Sequence, residues 1–151
     1  MRLAVGSDER TSLTDSVVDD LMHRGHHVRL FGSLQGEGPH SWPEVAQEVG
    51  EAVASGTCDQ GVLFCWTGTG VSIAANKVPG VRAALCTDAD TGRGARRWND
   101  ANVLCMSLRL TSETVAKEIL DAWFDAAVDE SELPNIKRVK EQDRLRSGGV
   151  P

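Results

Sequence analysis

The stretch Phe64 to Lys77, FCWTGTGVSIAANK, sets a cysteine, two threonines and two spaced glycines at the end of an apolar run. A strand that ends in a glycine-rich turn and feeds a helix offers unpaired backbone N–H groups to an anion. A Walker-type loop needs Lys-Ser or Lys-Thr directly after its last glycine, where Val71-Ser72 stands. A dinucleotide fingerprint needs a third glycine at Ile73 and normally belongs to the first strand, although Asp88 stands at a distance suited to a ribose partner. A small phosphate or carboxylate held by the N–H groups of residues 68 to 72 needs nothing that the sequence lacks. Cys65, at the mouth of this turn, is either a nucleophile or base whose thiolate the helix end stabilises, or a buried strand-end residue without a role. Asp8, in the segment GSDE, is the second group of interest, as a catalytic carboxylate or merely a cap or turn former.

The elements that must position these residues read as an alternating pattern. RLAVG (2–6), HHVRLFG (26–32), QGVLFC (60–65), GVRAALC (80–86) and ANVLCM (101–106) are short apolar runs, as expected of strands buried on both faces. Leu13, Val17, Val18 and Leu21 fit one helix face, and Val45, Val49 and Val53 a second. Val115, Ile119, Trp123 and Ala126 fit a third, opened by the cap-type residues Thr111 and Ser112. The alternation predicts an α/β fold: one doubly wound, Rossmann-like parallel sheet of five strands with helices on both faces. Ligands of such sheets bind beyond the carboxyl ends of the strands, which selects Ser7 to Glu9, Cys65 to Gly70 and Thr87 to Asp90. Residues 1–128 are expected to form this domain. Residues 129–151 are expected to form a charged tail, with a short helix after Pro134 that then frays.

A chain of 151 residues with 40% hydrophobic and 25% charged residues is expected to form one ordinary globular domain. The net charge of −6 argues against a nucleic-acid partner. No run reaches membrane-spanning length and the N-terminus does not read as a signal peptide, so a cytoplasmic location without membrane association is expected. The cysteines at 58, 65, 86 and 105 lack the close pairs of a zinc site and suit a reducing compartment; Cys86 and Cys105 lie in core-like runs. His23, His26 and His27 cluster without a local carboxylate or cysteine to complete a metal site, and read as a solvated helix end and strand start. Trp123 fits a core or interface position, while Trp66 and Trp98 flank the candidate site.

The segments CWTGTGVSIAANKVPGVRAALC and WNDANVL, with GSD after the first strand and Pro-x-x-Ala at Pro43 to Ala46, carry a resemblance. From Arg2 to about Phe124 the chain resembles the type B ribose-5-phosphate isomerases and their relatives, the subunits of galactose-6-phosphate isomerase. The resemblance implies a homodimer or dimer of dimers in which a partner subunit completes each site, with no metal or organic cofactor. It implies that Cys65 abstracts a proton next to a carbonyl, giving a cis-enediol that interconverts aldose and ketose. Thr67 and the amides of Gly68, Thr69 and Gly70 would stabilise the enediolate oxygens, and Asp8 would contact the hydroxyls that exchange protons. Glu9, Trp66, Trp98, Asn99, Arg109 and Arg138 occupy the remaining substrate-contacting positions.

Several of these positions depart from the family pattern. Glu9 replaces a histidine, Trp66 a glycine, and Trp42, preceded by Ser41, the tyrosine of Asp-Tyr-Pro. Trp98 replaces the ring-opening histidine, and PNIKRV keeps Arg138 but places Pro134 at the first arginine of the phosphate clamp. The base and its loop persist while the substrate shell is rewritten. The expectation is therefore an isomerase acting on a sugar phosphate other than, or in addition to, ribose 5-phosphate. An open-chain tetrose phosphate is the simplest substrate that dispenses with ring opening, unless a histidine from elsewhere, such as His40, takes over that step. The alternatives are a non-catalytic sugar- or phosphate-binding homologue and a nucleotide-binding module; turnover with intact Cys65 and nucleotide titration separate them.

Overall fold

The computed structural model describes residues 1–36 and 38–148. Five strands, Arg2–Ser7 (β1), His27–Gly32 (β2), Gln60–Cys65 (β3), Ala83–Leu85 (β4) and Val103–Ser107 (β5), form one sheet in the order β2-β1-β3-β5-β4. Every pairing is parallel. The expected five-stranded α/β architecture is therefore what the chain adopts. The helices are Ser12–His23 (α1), Trp42–Ala54 (α2), Thr69–Ala75 (α3), Ala89–Asn99 (α4), Glu113–Asp125 (α5) and Leu133–Ser147 (α6), with a 3₁₀ turn at Glu130–Glu132.

Alternate strand residues face opposite layers. Leu3, Val5, Val62, Phe64 and Leu104 pack with Val17 and Leu21 of α1 and with Ile119, Leu120 and Trp123 of α5. Ala4, Leu63, Cys65, Val103 and Cys105 face Val45 and Val49 of α2 and Val71 of α3. Trp123 belongs wholly to the core, and its indole N–H donates to Gln60 Oε1 at 2.8 Å, which satisfies the polar end of a buried ring. A reciprocal box starts α1: Thr11 Oγ1 accepts from the Thr14 amide, and Thr14 Oγ1 from the Thr11 amide. Ser112 caps α5 by accepting from the Val115 amide.

The structure moves several expected boundaries. The run read as a strand over 80–86 pairs only at Ala83–Leu85. Gly80 turns the chain at φ 88°, and the Asn76 side chain, not another strand, bonds the amide and carbonyl of Ala83. The fifth strand starts at Val103 instead of 101, while the Asn102 side chain bonds the Arg82 amide and the Gly80 carbonyl. Strand β2 starts at His27, one residue late, and Ala126 ends α5 in an extended conformation. The tail differs most: α6 begins at Leu133, before Pro134, and runs 15 residues. Proline is tolerated in a first helical turn, where its missing N–H has no partner to lose. The helix is held by buried Ile136, by Lys140 on Asp100 at 3.0 Å and by Asp143, which accepts from the Gly80 amide. The last three residues of the expected frayed end lie outside the described residues. Among the described residues, no helix is long and apolar enough to cross a membrane.

Candidate active site

The strand order reverses between β1 and β3, since β2 lies outside β1 on one side and β5 and β4 outside β3 on the other. The crevice at the carboxyl ends of these two strands is where a doubly wound sheet binds its ligand. Ser7 pairs with Phe64 in register, so the next residues on the two strands, Asp8 and Cys65, stand side by side at this edge. Neighbouring strands run about 4.8 Å apart, which sets the scale of their separation.

The loop after Cys65 is stitched to the end of β5. The Cys65 carbonyl accepts from the Leu108 amide, and the Trp66 carbonyl accepts from the Arg109 amide and from Ser107 Oγ at 2.9 Å. Thr67 and Thr69 join their hydroxyls at 2.7 Å. Between them Gly68 is left-handed, at φ 77°. A Cβ there would lie 2.6 Å from Leu85 and 3.0 Å from the backbone of Met106 and Ser107, so only glycine allows the loop to lie this close to β5. Gly68 is also the N-cap of α3, and among the described residues no side chain caps that helix. The first amides of a helix have no intrahelical acceptor, which leaves those of Thr69, Gly70 and Val71 for a ligand oxygen. The Trp42 indole lies across Gly70, with ring carbons 3.0 to 3.3 Å from where a Cβ would stand, and so roofs this part of the site.

The polar groups at the edge are under tension. Asp8 is half-buried, its Oδ1 finds no partner among the described residues, and burial pushes its carboxyl pKa up. Cys65 is 5% exposed and lies among the side chains of the α2–α3 layer. The other thiols of the sheet are held inert by burial, which pushes Cys86 up to about 12 and Cys105 up as well. Glu9, Trp66 and Arg109 stand at the same edge with exposed side chains, Trp66 at 59%.

The remaining sequence-selected residues lie elsewhere. Helix α4 starts beyond the carboxyl end of β4 and runs back, delivering Trp98 and Asn99 beside the start of β5. The five residues of β5 span roughly 16 Å, so within one chain these two side chains sit across the sheet from Cys65. They line a cleft of about 570 Å³ with Asn76, Arg82 and, from α6, Asn135 and Val139. Arg138 is exposed on the same helix, next to Val139. Asp88, weighed as a ribose partner, caps α4 by accepting from the Thr91 amide at 2.7 Å. The described residues hold no cluster of three His, Cys, Asp or Glu suited to a metal ion.

Two further features belong to the edge, of which the sequence singled out only His40, as a histidine that could take over ring opening from Trp98. One is Ser33, whose Oγ donates to the Asp8 carbonyl at 2.7 Å and ties the loop after β2 to the loop after β1. The other is His40 on that same loop, whose Nε2 is buried without a partner among the described residues. No local pattern distinguishes either from ordinary loop residues; His40 is notable only as the one histidine, among the described residues, beyond the carboxyl end of a strand.

Comparison with known proteins bears on this arrangement. Residues 3–141 match the family model described as Ribose/Galactose Isomerase. The chain is 34% identical to the D-erythrulose-4-phosphate isomerase of Pectobacterium atrosepticum, over 92% of this chain and 93% of that one. It is 40% identical to ribose-5-phosphate isomerase B of Escherichia coli over 76% of each. The solved ribose-5-phosphate isomerase B of Clostridium thermocellum superposes with a TM-score of 0.89 at 37% identity, covering 97% of this chain and 99% of that one. A family model spanning nearly the whole domain, with the same fold at this identity, leaves one conclusion: the chain is an isomerase belonging to the ribose/galactose isomerase family.

Proposed function

We propose that the protein interconverts the aldose and ketose forms of a four-carbon sugar phosphate, with Cys65 as the base. What supports this chemistry is that Cys65 ends β3, on the strand next to the one that leads into Asp8, and directly precedes the loop whose α3 amides are uncapped. Cys65 Sγ takes the proton from the carbon next to the carbonyl. The Thr67–Thr69 hydroxyls and the loop amides receive the negative charge that develops on the enediolate oxygens. Cys65 then returns the proton to the neighbouring carbon. Arg109, exposed at the same edge and without an ion pair among the described residues, is suited to the phosphate.

The size of the substrate follows from the tryptophans. Trp42 covers Gly70 and shortens the space over the anion loop. Trp98 stands where the family places its ring-opening histidine, and an indole N–H only donates and has no useful acidity near neutral pH. A tetrose phosphorylated on its terminal oxygen cannot close a furanose through that oxygen, so it requires no ring opening. The name of the Pectobacterium relative, an erythrulose-4-phosphate isomerase, supports the same size class.

The site on this reading is shared between two chains. Trp98 and Asn99 sit near the amino ends of the strands, at the opposite end of the sheet from their own Cys65, so they reach a Cys65 loop only in a second copy. The cleft they border would take the partner's loop and its Trp66.

The test compares kcat/KM for erythrose 4-phosphate with that for ribose 5-phosphate, with solvent deuterium uptake at the carbon next to the carbonyl as the chemical readout. A clear preference for the tetrose phosphate is expected. Trp42→Ala, by removing the roof over Gly70, should shift the ratio toward the pentose phosphate by about tenfold or more. Preference of the wild type for ribose 5-phosphate refutes the size argument, and absence of any turnover refutes the function.

A further inference from the structure

Among the described residues only two buried side-chain polar atoms lack a hydrogen-bond partner, Asp8 Oδ1 and His40 Nε2. An orphaned buried polar atom costs about 1–3 kcal/mol, and native folds contain few of them. Their position is therefore informative. Asp8 follows β1 and His40 belongs to the loop that follows β2, and β1 and β2 are adjacent in the sheet. Both atoms lie beyond the carboxyl ends of the strands, and the two loops are bonded to each other through Ser33, whose amide and Oγ donate to Ser7 and Asp8 carbonyls. Two residues after His40, Trp42 lies on Gly70 of the anion loop.

The other histidines are excluded from this edge by topology. His23 ends α1, His26 and His27 open β2, and all three sit at the amino ends of the strands. His26 is occupied there by the terminal amine of Met1 and the ring of Phe124. His40 is thus the one imidazole among the described residues on the side of the sheet that carries Cys65.

We infer that His40 is the imidazole of this active site, and that together with Asp8 it serves the substrate oxygens while Cys65 serves the carbons. The inference rests on the isomerase reading above. Isomerisation moves two protons. One passes from carbon to the neighbouring carbon through Cys65. The other must leave the hydroxyl oxygen that becomes the carbonyl and reach the carbonyl oxygen that becomes the hydroxyl. The His40 imidazole takes the second proton at Nε2 from one oxygen and returns it to the other, so the enzyme ends unchanged and the product has the composition of the substrate. An imidazole can both accept and donate a proton near neutral pH, which the indole of Trp98 cannot. The bound sugar also supplies the partner that His40 Nε2 and Asp8 Oδ1 lack.

Two measurements on the full-length protein test this. His40→Ala is expected to lower kcat at least tenfold with an unchanged melting temperature, and free imidazole should restore part of the rate in a saturable manner. Retention of kcat within twofold, or loss that imidazole does not relieve, overturns the inference. The second measurement needs no turnover, only a folded His40→Gln chain for the assignment. The imidazole ¹⁵N resonances of His40 in the wild type, assigned by their absence in His40→Gln, should shift on saturation with 4-phosphoerythronate, an open-chain carboxylate analogue of the enediolate. Unmoved His40 resonances overturn the inference even if the wild type isomerises sugar phosphates. A wild type that isomerises none refutes the proposed function, while the ¹⁵N titration still decides the place of His40.

Discussion

Replacing Gly68 with alanine tests whether the loop after Cys65 is held where the chemistry requires it. Gly68 has φ 77°, a conformation that costs an alanine about 1–2 kcal/mol. The added methyl would lie 2.6 Å from Leu85 Cδ1 and 3.0 Å from the Met106 carbonyl carbon and the Ser107 amide nitrogen. The Leu85 methyl can rotate aside, but the backbone of β5, paired with β3 at Met106 and Ser107, cannot. Overpacking of this kind costs about 1–3 kcal/mol, for a total near 2–5 kcal/mol. Gly25 supplies the control, since it has φ 86° and an added methyl would find nothing within 4 Å, so Gly25→Ala should show the conformational cost alone. Urea unfolding of the variants at one fixed protein concentration measures the difference, because self-association shifts the midpoint with concentration. Relief of the clash must lift the loop from β5 and carry Thr67 and the α3 amides with it. Displacements of this size cost about tenfold or more in kcat/KM. Equal destabilisation by the two substitutions, with kcat/KM intact in Gly68→Ala, would refute the argument that close packing on β5 positions the site.

Cys65→Ala should lose about 10²–10⁴-fold in turnover and keep its fold, as expected of a positioned base, whereas Cys86→Ala and Cys105→Ala should lower stability more than rate; steady-state kinetics with urea melts separates them. If sites are shared, mixing inactive Cys65→Ala chains with inactive Asn99→Ala chains should restore part of the activity, since some sites then combine an intact loop with an intact Asn99. No recovery despite demonstrated subunit exchange would count against that assembly. Asp8 carries a stability cost of defined sign. Its folded pKa is raised by burial, so its ionised form is disfavoured in the native state and the cost appears as pH rises above the unfolded carboxylate value near 4. Asp8→Asn should therefore raise the melting temperature at pH 7 relative to wild type, with the gain shrinking at pH 3, while kcat falls. Asp59 gives the opposite sign: hydrogen bonds from Arg2 hold it at about 2, so its stabilising contribution is lost as pH falls from about 4 toward 2, and Asp59→Asn should flatten that part of the stability profile.

The sequence carried the architecture because its signals are local. Near-continuous apolar runs such as QGVLFC describe strands covered on both faces, and the spacing of Val45, Val49 and Val53 describes a helix laid on one of them. Helix α4 was harder to read. Its buried positions are Gly92, Gly94 and Ala95: a Cβ on Gly92 would stand 3.2 Å from Ile119 of α5, and one on Gly94 2.6 Å from the Trp98 ring of its own helix. Small residues selected by close approach leave no apolar stripe to find. The length of α6 was hidden for a similar reason. Its anchors are Ile136 and polar ties to Asp100 and Gly80, residues remote in sequence, and not a broad hydrophobic face.

The site divides along the same line. The cysteine, the glycine turn and the residues of SIAANK and NDANVL are contiguous motifs, so the sequence by itself determined the family, the base and the anion loop as candidates. Which groups share an edge depends on strand order and chain direction, which no local pattern encodes. Only the tertiary structure set Asp8 beside Cys65, laid Trp42 on Gly70 and turned His40 inward. It also carried Trp98 and Asn99 to the amino ends of the strands, because α4 must run antiparallel to the strand it follows in order to reach the start of β5.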